Sequence, residues 1–306
     1  MKKRRLSFHQ RESIPWFIMC AIPVLLVFVF NYLPMIGTII AFKDYRYDLG
    51  ILGSDWVGFK NFEFFFQSNV FARITINTLA YNFAFIIVST ASSILVALLL
   101  YEVTSRARTK LFQTILITPH FMSWVVAGSM VYAILQPQNG FLNTILNVFG
   151  IESINWYAEP NKWPAILTVT YVWKNVGMDS VIYYAALMGL DASLFEAAKI
   201  DGATRTQTTK SIIIPCILNL IVMLTILKVG NIFRADFGMF YQIPRNVSIL
   251  YEKTDVVDTY IFRSMREVGD MGMSTAIGLL QSVVGFILVL ITNWASKKID
   301  EDYGLF

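Results

Sequence analysis

The apolar positions of this chain gather into six long runs separated by polar connectors. They are roughly Pro15–Phe42, Ile74–Tyr101, Leu111–Leu135, Trp163–Leu190, Ile212–Phe233 and Met273–Ser296. A helix needs about 20 apolar residues to cross a bilayer. Each run therefore predicts a membrane-spanning helix, and the fold class predicted is all-α integral membrane with six transmembrane helices. Pro23, Pro34, Pro119 and Pro215 fall within or at the edges of the runs. Neighbouring helices can satisfy the carbonyls such prolines release, so they predict kinks rather than breaks in the span count.

The polar connectors set the orientation. Lys2, Lys3, Arg4, Arg5 and Arg11 precede the first run, Arg106, Arg108 and Lys110 follow the second, Lys199, Arg205 and Lys210 follow the fourth, and Lys297 and Lys298 follow the sixth. If the spans alternate, all four groups share one side, which the positive-inside rule makes the cytoplasm. Both termini are expected there. The opposite connectors also carry bases, among them Lys43, Lys60, Arg234 and Arg263, but they are long, and long loops obey the rule weakly. Residues 1–14 then form a basic cytoplasmic amino terminus, 15–296 a single transmembrane domain and 297–306 a cytoplasmic tail. The outer connectors are rich in aromatics, as in the DWVGFKNFEFFF of Asp55–Phe66. Such rings suit the membrane boundary or a platform that meets another protein.

Composition agrees. Of the 306 residues 56% are hydrophobic and only 15% charged, against about 25% charged in an average soluble domain, and the mean hydropathy is +0.55. The run from Ile14 to Phe42 is longer than the ~7–15 residues of a signal-peptide core, so an uncleaved first span is expected. Cys20 and Cys216 offer no metal spacing or disulfide framework and are expected to be packing residues. His9 and His120 cannot build a multi-histidine metal cluster. No catalytic or metal-ligating residue is predicted, nor a nucleic-acid partner. The chain has no G-x-x-x-x-G-K-[ST] phosphate loop.

The most informative connector is DASLFEAAKIDGATRTQTTKSIIIP, Asp191 to Pro215. Ser193 with Glu196 has the S-x-x-E form of a capping box, predicting a short helix from Leu194. Gly202 after Asp201 ends it. Thr204 with Gln207 has the T-x-x-Q form and starts a second helix. The product is a helix–turn–helix elbow on the cytoplasmic surface whose small residues permit close approach by another protein. A plain amphipathic link between two spans is the alternative.

The spelling of this elbow, EAA, two residues, DGA and later a proline, resembles the EAA motif of ABC importer permeases. The resemblance extends to WVGFKNF (Trp56–Phe62), the Asn77–Thr78 pair, NGFLN (Asn139–Asn143), DVVDTYIFR (Asp255–Arg263) and the last helix. These look like carbohydrate-uptake permeases of the LplB-like branch. The resemblance implies the type I importer permease fold of a bacterial cytoplasmic membrane. It makes the elbow a coupling helix that docks on an ATPase through Glu196, Ala197, Ala198, Asp201, Gly202 and Ala203. It further implies a second, paralogous permease subunit, two cytoplasmic ATPase subunits that hold the ATP and Mg, and an extracellular lipid-anchored binding protein that delivers a sugar or oligosaccharide.

Polar groups inside the spans mark the expected path. A lysine in the hydrocarbon region costs about 2.5–3.5 kcal/mol on insertion scales, so it must face a cavity or a partner. Lys174, between Trp173 and Asn175, and Lys228, three residues before Asn231, are the candidates. Trp173 suits stacking on a pyranose, and Asn175 and Asn231 suit hydroxyls. For Lys174 an interhelical tie to a carbonyl or acid is the alternative, and for Lys228 snorkelling to the outer surface. Asn219, Thr225 and Gln281 fit polar glue between helices equally well. Three other functions remain open: the same machinery carrying a polyol or phosphorylated metabolite, a membrane-embedded enzyme, and a secondary transporter.

Overall fold

The computed structural model describes residues 8–299. Lys2, Lys3, Arg4 and Arg5 lie outside the described residues, as does most of the expected tail. The described residues are mostly helical and form two compact units, one built from residues 8–65 with 264–279 and the other from 66–263 with 280–299.

In the first unit, the first run is an α-helix, Phe8–Val27, that passes through a π turn, Phe28–Tyr32, into a 3-10 helix, Leu33–Phe42. The switch falls at Pro34, which cannot donate a backbone bond and so disrupts the α ladder. Its apolar surface is left open: Trp16, Phe17, Phe30 and Ile36 are all more than half exposed, as a lipid-facing helix requires. The outer connector that follows is ordered. Lys43–Asp44 pairs antiparallel with Asp55–Trp56. The Asn61 amide donates to the carbonyls of Ala41 and Lys43, at 2.9 and 3.0 Å. Phe42 packs against Trp56, Phe59 and Phe62, with ring centroids 5.5–5.7 Å apart.

In the second unit two long helices, Asn69–Tyr101 and Trp163–Met188, pack along one another. Other runs are bent, and the kink expected at Pro119 is a full break in the run from Leu111 to Leu135. That run is Arg106–Phe121 followed by Trp124–Leu135, with a 100° bend between them. Pro119 interrupts the ladder, Met122 is extended, and Ser123 caps the new helix by accepting the Val126 amide. Gly177 on the Trp163–Met188 helix permits the close contact, because a Cβ there would overlap the Leu116 carbonyl. The fifth run bends by 61° between Arg205–Cys216 and Leu218–Gly230, beside Pro215. Among the described residues, three helices are long and apolar enough to cross a membrane, and three bent pairs each qualify together.

The connector after the fifth run, expected as an outer loop, is a packed helical layer. It contains Phe237–Gln242, Tyr251–Thr254 and Val257–Arg263. Met239, Phe240, Ile243, Leu250 and Val256 join Tyr81, Phe85, Trp163 and Leu167 in one buried core. A row of side chains on the second helix staples the layer down. Asn77 donates to the carbonyls of Glu252 and Asp255, Thr78 accepts the Val257 amide, Tyr81 donates to the Lys253 carbonyl, and Asn82 donates to the carbonyls of Ile232 and Arg234. The Asn77–Thr78 pair and the DVVDTYIFR segment, far apart in sequence, are thus partners. Asp255 is buried and accepts from Arg263 at 2.6 Å and from Thr259 at 2.8 Å. Cys20 and Cys216, expected to pack, are both exposed.

Candidate functional site

Two regions carry the candidate residues. The first is the elbow. Its helix is Ala192–Ile200, two residues longer at the start than predicted, because Asp191 and not Ser193 is the cap: its carboxylate accepts the Ser193 amide at 2.9 Å. That bond holds the Asp191 carboxyl below the usual carboxylate range. The far end closes in a Schellman arrangement. Gly202 takes φ +71°, Ala203 donates to the Ala198 carbonyl at 2.9 Å, and Gly202 donates to the Lys199 carbonyl at 3.2 Å. The left-handed residue has to be glycine here, since a Cβ makes that φ costly. The predicted capping box of Thr204 and Gln207 is formed in full.

The elbow divides cleanly into two faces. Ala198 is buried, and Phe195 lies 5.8 Å from the Tyr101 ring at the end of the second helix. Arg205 adds an ion pair to Glu102 at 2.8 Å. Glu196, Ala197, Asp201 and Gly202 are exposed, and Ile200 is 85% exposed. Of the six predicted coupling residues, only Ala198 is buried and Ala203 half-buried.

The second region is a cavity of about 430 Å³ between the second, fourth and fifth runs. Asn82, Tyr171, Asn175, Lys228, Asn231, Arg234 and Asp236 supply its polar wall, and Phe85, Ile86, Leu224 and Leu227 its apolar wall. Tyr171 and Phe85 are stacked, with centroids 4.1 Å apart and planes within 5°. Asn175 and Asn231 each give one N–H to the carbonyl four residues back.

The structure brings Asn175, Lys228 and Asn231 together but places Trp173 and Lys174 outside this wall. Lys174 is only 6% exposed and takes the interhelical tie: its ammonium donates to the carbonyls of Pro119, His120 and Met122. Trp173 does not line the cavity and is partly exposed. Lys228 does not snorkel. It pairs with Asp179 at 2.8 Å, and Ser89 Oγ lies within reach of both, at 3.3 Å from Nζ and 3.1 Å from Oδ2. Asp179 escaped the sequence reading although an acid in mid-span was signal enough. Arg234 and Asp236 escaped because they lie at helix ends, where polar residues are ordinary, whereas Asn82 stands inside the second run and, like Asp179, was signal enough. Gln281 is glue, bridging the Phe233 carbonyl and Asp258. Burial raises the Asp258 carboxyl, while the Ala235 amide and Gln281 partly offset this.

A family profile described as "Binding-protein-dependent transport system inner membrane component" matches residues 93–301. The chain belongs to this family. The matched span contains the whole elbow and the fourth- and fifth-run walls of the cavity. This permease is 34% identical to the polygalacturonan/rhamnogalacturonan transport system permease protein YteP of Bacillus subtilis (strain 168), over 98% of its own length and 93% of the relative's. It is 34% identical to protein LplB of the same organism, over 95% of its own length and 91% of the relative's. Its fold matches a chain in the crystal structure of a bacterial alginate ABC transporter in complex with alginate pentasaccharide-bound periplasmic protein. The TM-score is 0.86 at 32% identity, covering 97% of this chain and 98% of that one.

Proposed function

We propose that this permease is the membrane subunit of an ATP-driven importer that accepts an oligosaccharide from an extracellular, lipid-anchored binding protein and passes it into the bacterial cytoplasm. Each bent pair contributes one span in this reading, giving six, with Ala192–Ile200 outside the fourth span as the elbow and both termini cytoplasmic. A paralogous permease completes the pathway, and two cytoplasmic ATPase subunits supply the nucleotide chemistry with ATP and Mg. The observation that carries the reading is the elbow. One face is anchored to the end of the second helix through Phe195, Ala198 and the Arg205–Glu102 pair, and the other offers Glu196, Ala197, Ile200 and Asp201 to a partner. A rigid, half-anchored helix of this kind can transmit a partner's movement into the bundle. Coupling of this sort requires an element with two arrangements that both sites bias.

The cavity is the proposed cargo path. Amides from Asn82, Asn175 and Asn231 suit hydroxyls, Tyr171 supplies a ring face, and Arg234 brings positive charge, whereas the Lys228 charge is matched by Asp179. Arg234 in the wall, together with relatives named for polygalacturonan and alginate, favours cargo bearing uronate carboxylates. A relative named for sn-glycerol-3-phosphate transport, 27% identical, makes a phosphorylated solute the comparison to include.

The test is ATPase activity of the purified complex in lipid, with and without loaded binding protein, comparing wild type with Glu196→Ala. Stimulation by loaded binding protein that Glu196→Ala loses is the expected result. A complex that purifies without an ATPase, or a variant that stays fully stimulated, overturns the coupling role.

A further inference from the structure

Two lysines of this chain end in the same backbone arrangement. Lys43 Nζ donates to the carbonyls of Ile51, Leu52 and Ser54, at 2.7, 3.2 and 3.0 Å. Lys174 Nζ donates to those of Pro119, His120 and Met122, at 3.2, 2.8 and 2.6 Å. The spacing is i, i+1, i+3 in both. In each case the first two carbonyls belong to a four-residue helical turn, Gly50–Gly53 or Thr118–Phe121, and the third to the residue that closes it. The closing residues share one extended conformation: Ser54 has φ −70° and ψ 146°, and Met122 has φ −71° and ψ 139°. Carbonyls at a helix C-terminus are short of intrahelical donors and carry the negative end of the helix dipole; among those at the two seats, the Pro119 carbonyl also accepts the Met122 amide at 3.2 Å. Three such oxygens match the three N–H groups of an ammonium.

The Lys174 seat has two further features. The Trp124 ring lies over the ammonium, 5.0 Å from centroid to Nζ, an arrangement attractive to a cation. The Trp124 indole N–H donates to Asp236 Oδ2 at 2.6 Å, and Asp236 lines the cavity beside Asn175. The ammonium therefore contacts a ring whose other edge holds a residue of the cavity wall.

We propose that the Pro119–Met122 turn is a cation site for a primary ammonium, filled in this protein by the tethered Lys174, and that Lys174 is a positioning residue that sets Trp124 and, through its indole N–H, Asp236 of the cavity wall. The effect on cargo rests on the importer reading above, whereas the cation site does not. An ordinary packing tie needs only volume; this site needs positive charge and N–H donors.

The experiment uses the assembled complex with Lys174→Ala and Lys174→Met. Thermal unfolding is followed in ethylammonium chloride and, at equal ionic strength, in tetramethylammonium chloride, which has no N–H. The expected result is a higher Tm for Lys174→Ala in ethylammonium only, with wild type responding equally to both salts. An equal response of Lys174→Ala to the two salts overturns the cation site. Binding-protein-stimulated ATPase activity is expected to be lost in both variants and to return in Lys174→Ala with ethylammonium. Full stimulation of assembled Lys174→Met overturns the positioning role, even where Lys174→Ala cannot be purified. A wild-type complex that shows no stimulation refutes the importer reading and leaves the thermal comparison to decide the cation site.

Discussion

The Lys228–Asp179 pair is the sharpest energetic feature of the cavity region, and its removal has a calculable consequence. At 2.8 Å the two charges attract by about 6 kcal/mol at an effective dielectric constant of 20. The side chains are 26% and 25% exposed, so water already screens part of this. Breaking a buried pair by removing one partner costs about 3–5 kcal/mol, and the lower end, about 3 kcal/mol, applies to this half-wet site. At roughly 2 °C per kcal/mol for a chain of this size, one charge removed lowers Tm by about 6 °C. The two single variants should differ. Asp179→Asn leaves a lysine whose flexible stem can carry its charge into the cavity, whereas Lys228→Met leaves a carboxylate with Ser89 as its remaining partner. Lys228→Met should therefore be the less stable, and the double variant should recover most of the loss. The assay is thermal unfolding of the complex in lipid nanodiscs for all four members of the cycle. Single variants indistinguishable from wild type, or a double variant showing the sum of the single losses, refute the reasoning.

Three further outcomes follow from the same structure. Asp255→Ala strips Arg263 and Thr259 of a fully enclosed partner and should destabilise the complex by about 3–5 kcal/mol, read as a fall in Tm. Asp258 has a raised carboxyl pKa. The folded state therefore holds its proton more tightly than the unfolded one, and stability falls as pH rises from about 4, the ordinary carboxylate value, through the raised one. Asp258→Asn should flatten that slope in Tm measured from acid to neutral pH. Arg234→Gln should lower uptake of uronate oligomers relative to neutral ones by about tenfold, the worth of one charge-assisted hydrogen bond, measured as a ratio of kcat/KM in proteoliposomes; an unchanged ratio removes Arg234 from cargo selection.

The apolar runs were legible because bilayer thickness imposes a length that nothing else in a sequence mimics. The elbow was legible because its signals are local. The Thr204–Gln207 box and the Gly202 stop each depend on residues within one turn, and both formed as read. The one local error, Ser193 for Asp191 as cap, arose because two eligible caps stand two residues apart and either can take the amide. The bend at Met122 was less legible. Pro119 announces a break, but its angle depends on Ser123 starting a new helix and on Gly177 admitting the Leu116 carbonyl from another helix. The layer after the fifth run was missed because its anchors, Asn77, Thr78, Tyr81 and Asn82, sit about 150 or more residues away in sequence.

The polar residues within the spans show where single-sequence reading stops. A charge in an apolar run must be satisfied, but its sequence position does not say by what. Lys174 and Lys228 look alike in the chain, yet one is held by three backbone carbonyls and the other by a carboxylate at the edge of a cavity. Backbone acceptors leave no trace in composition, because every residue carries a carbonyl. An acid partner does leave one, and Asp179 was there to be paired. A lysine in a span with no acid in reach is therefore better matched first to a broken helix than to cargo. Here the break at Pro119 supplies the carbonyls, and the residue next to the lysine, Asn175, rather than the lysine itself, lines the cavity.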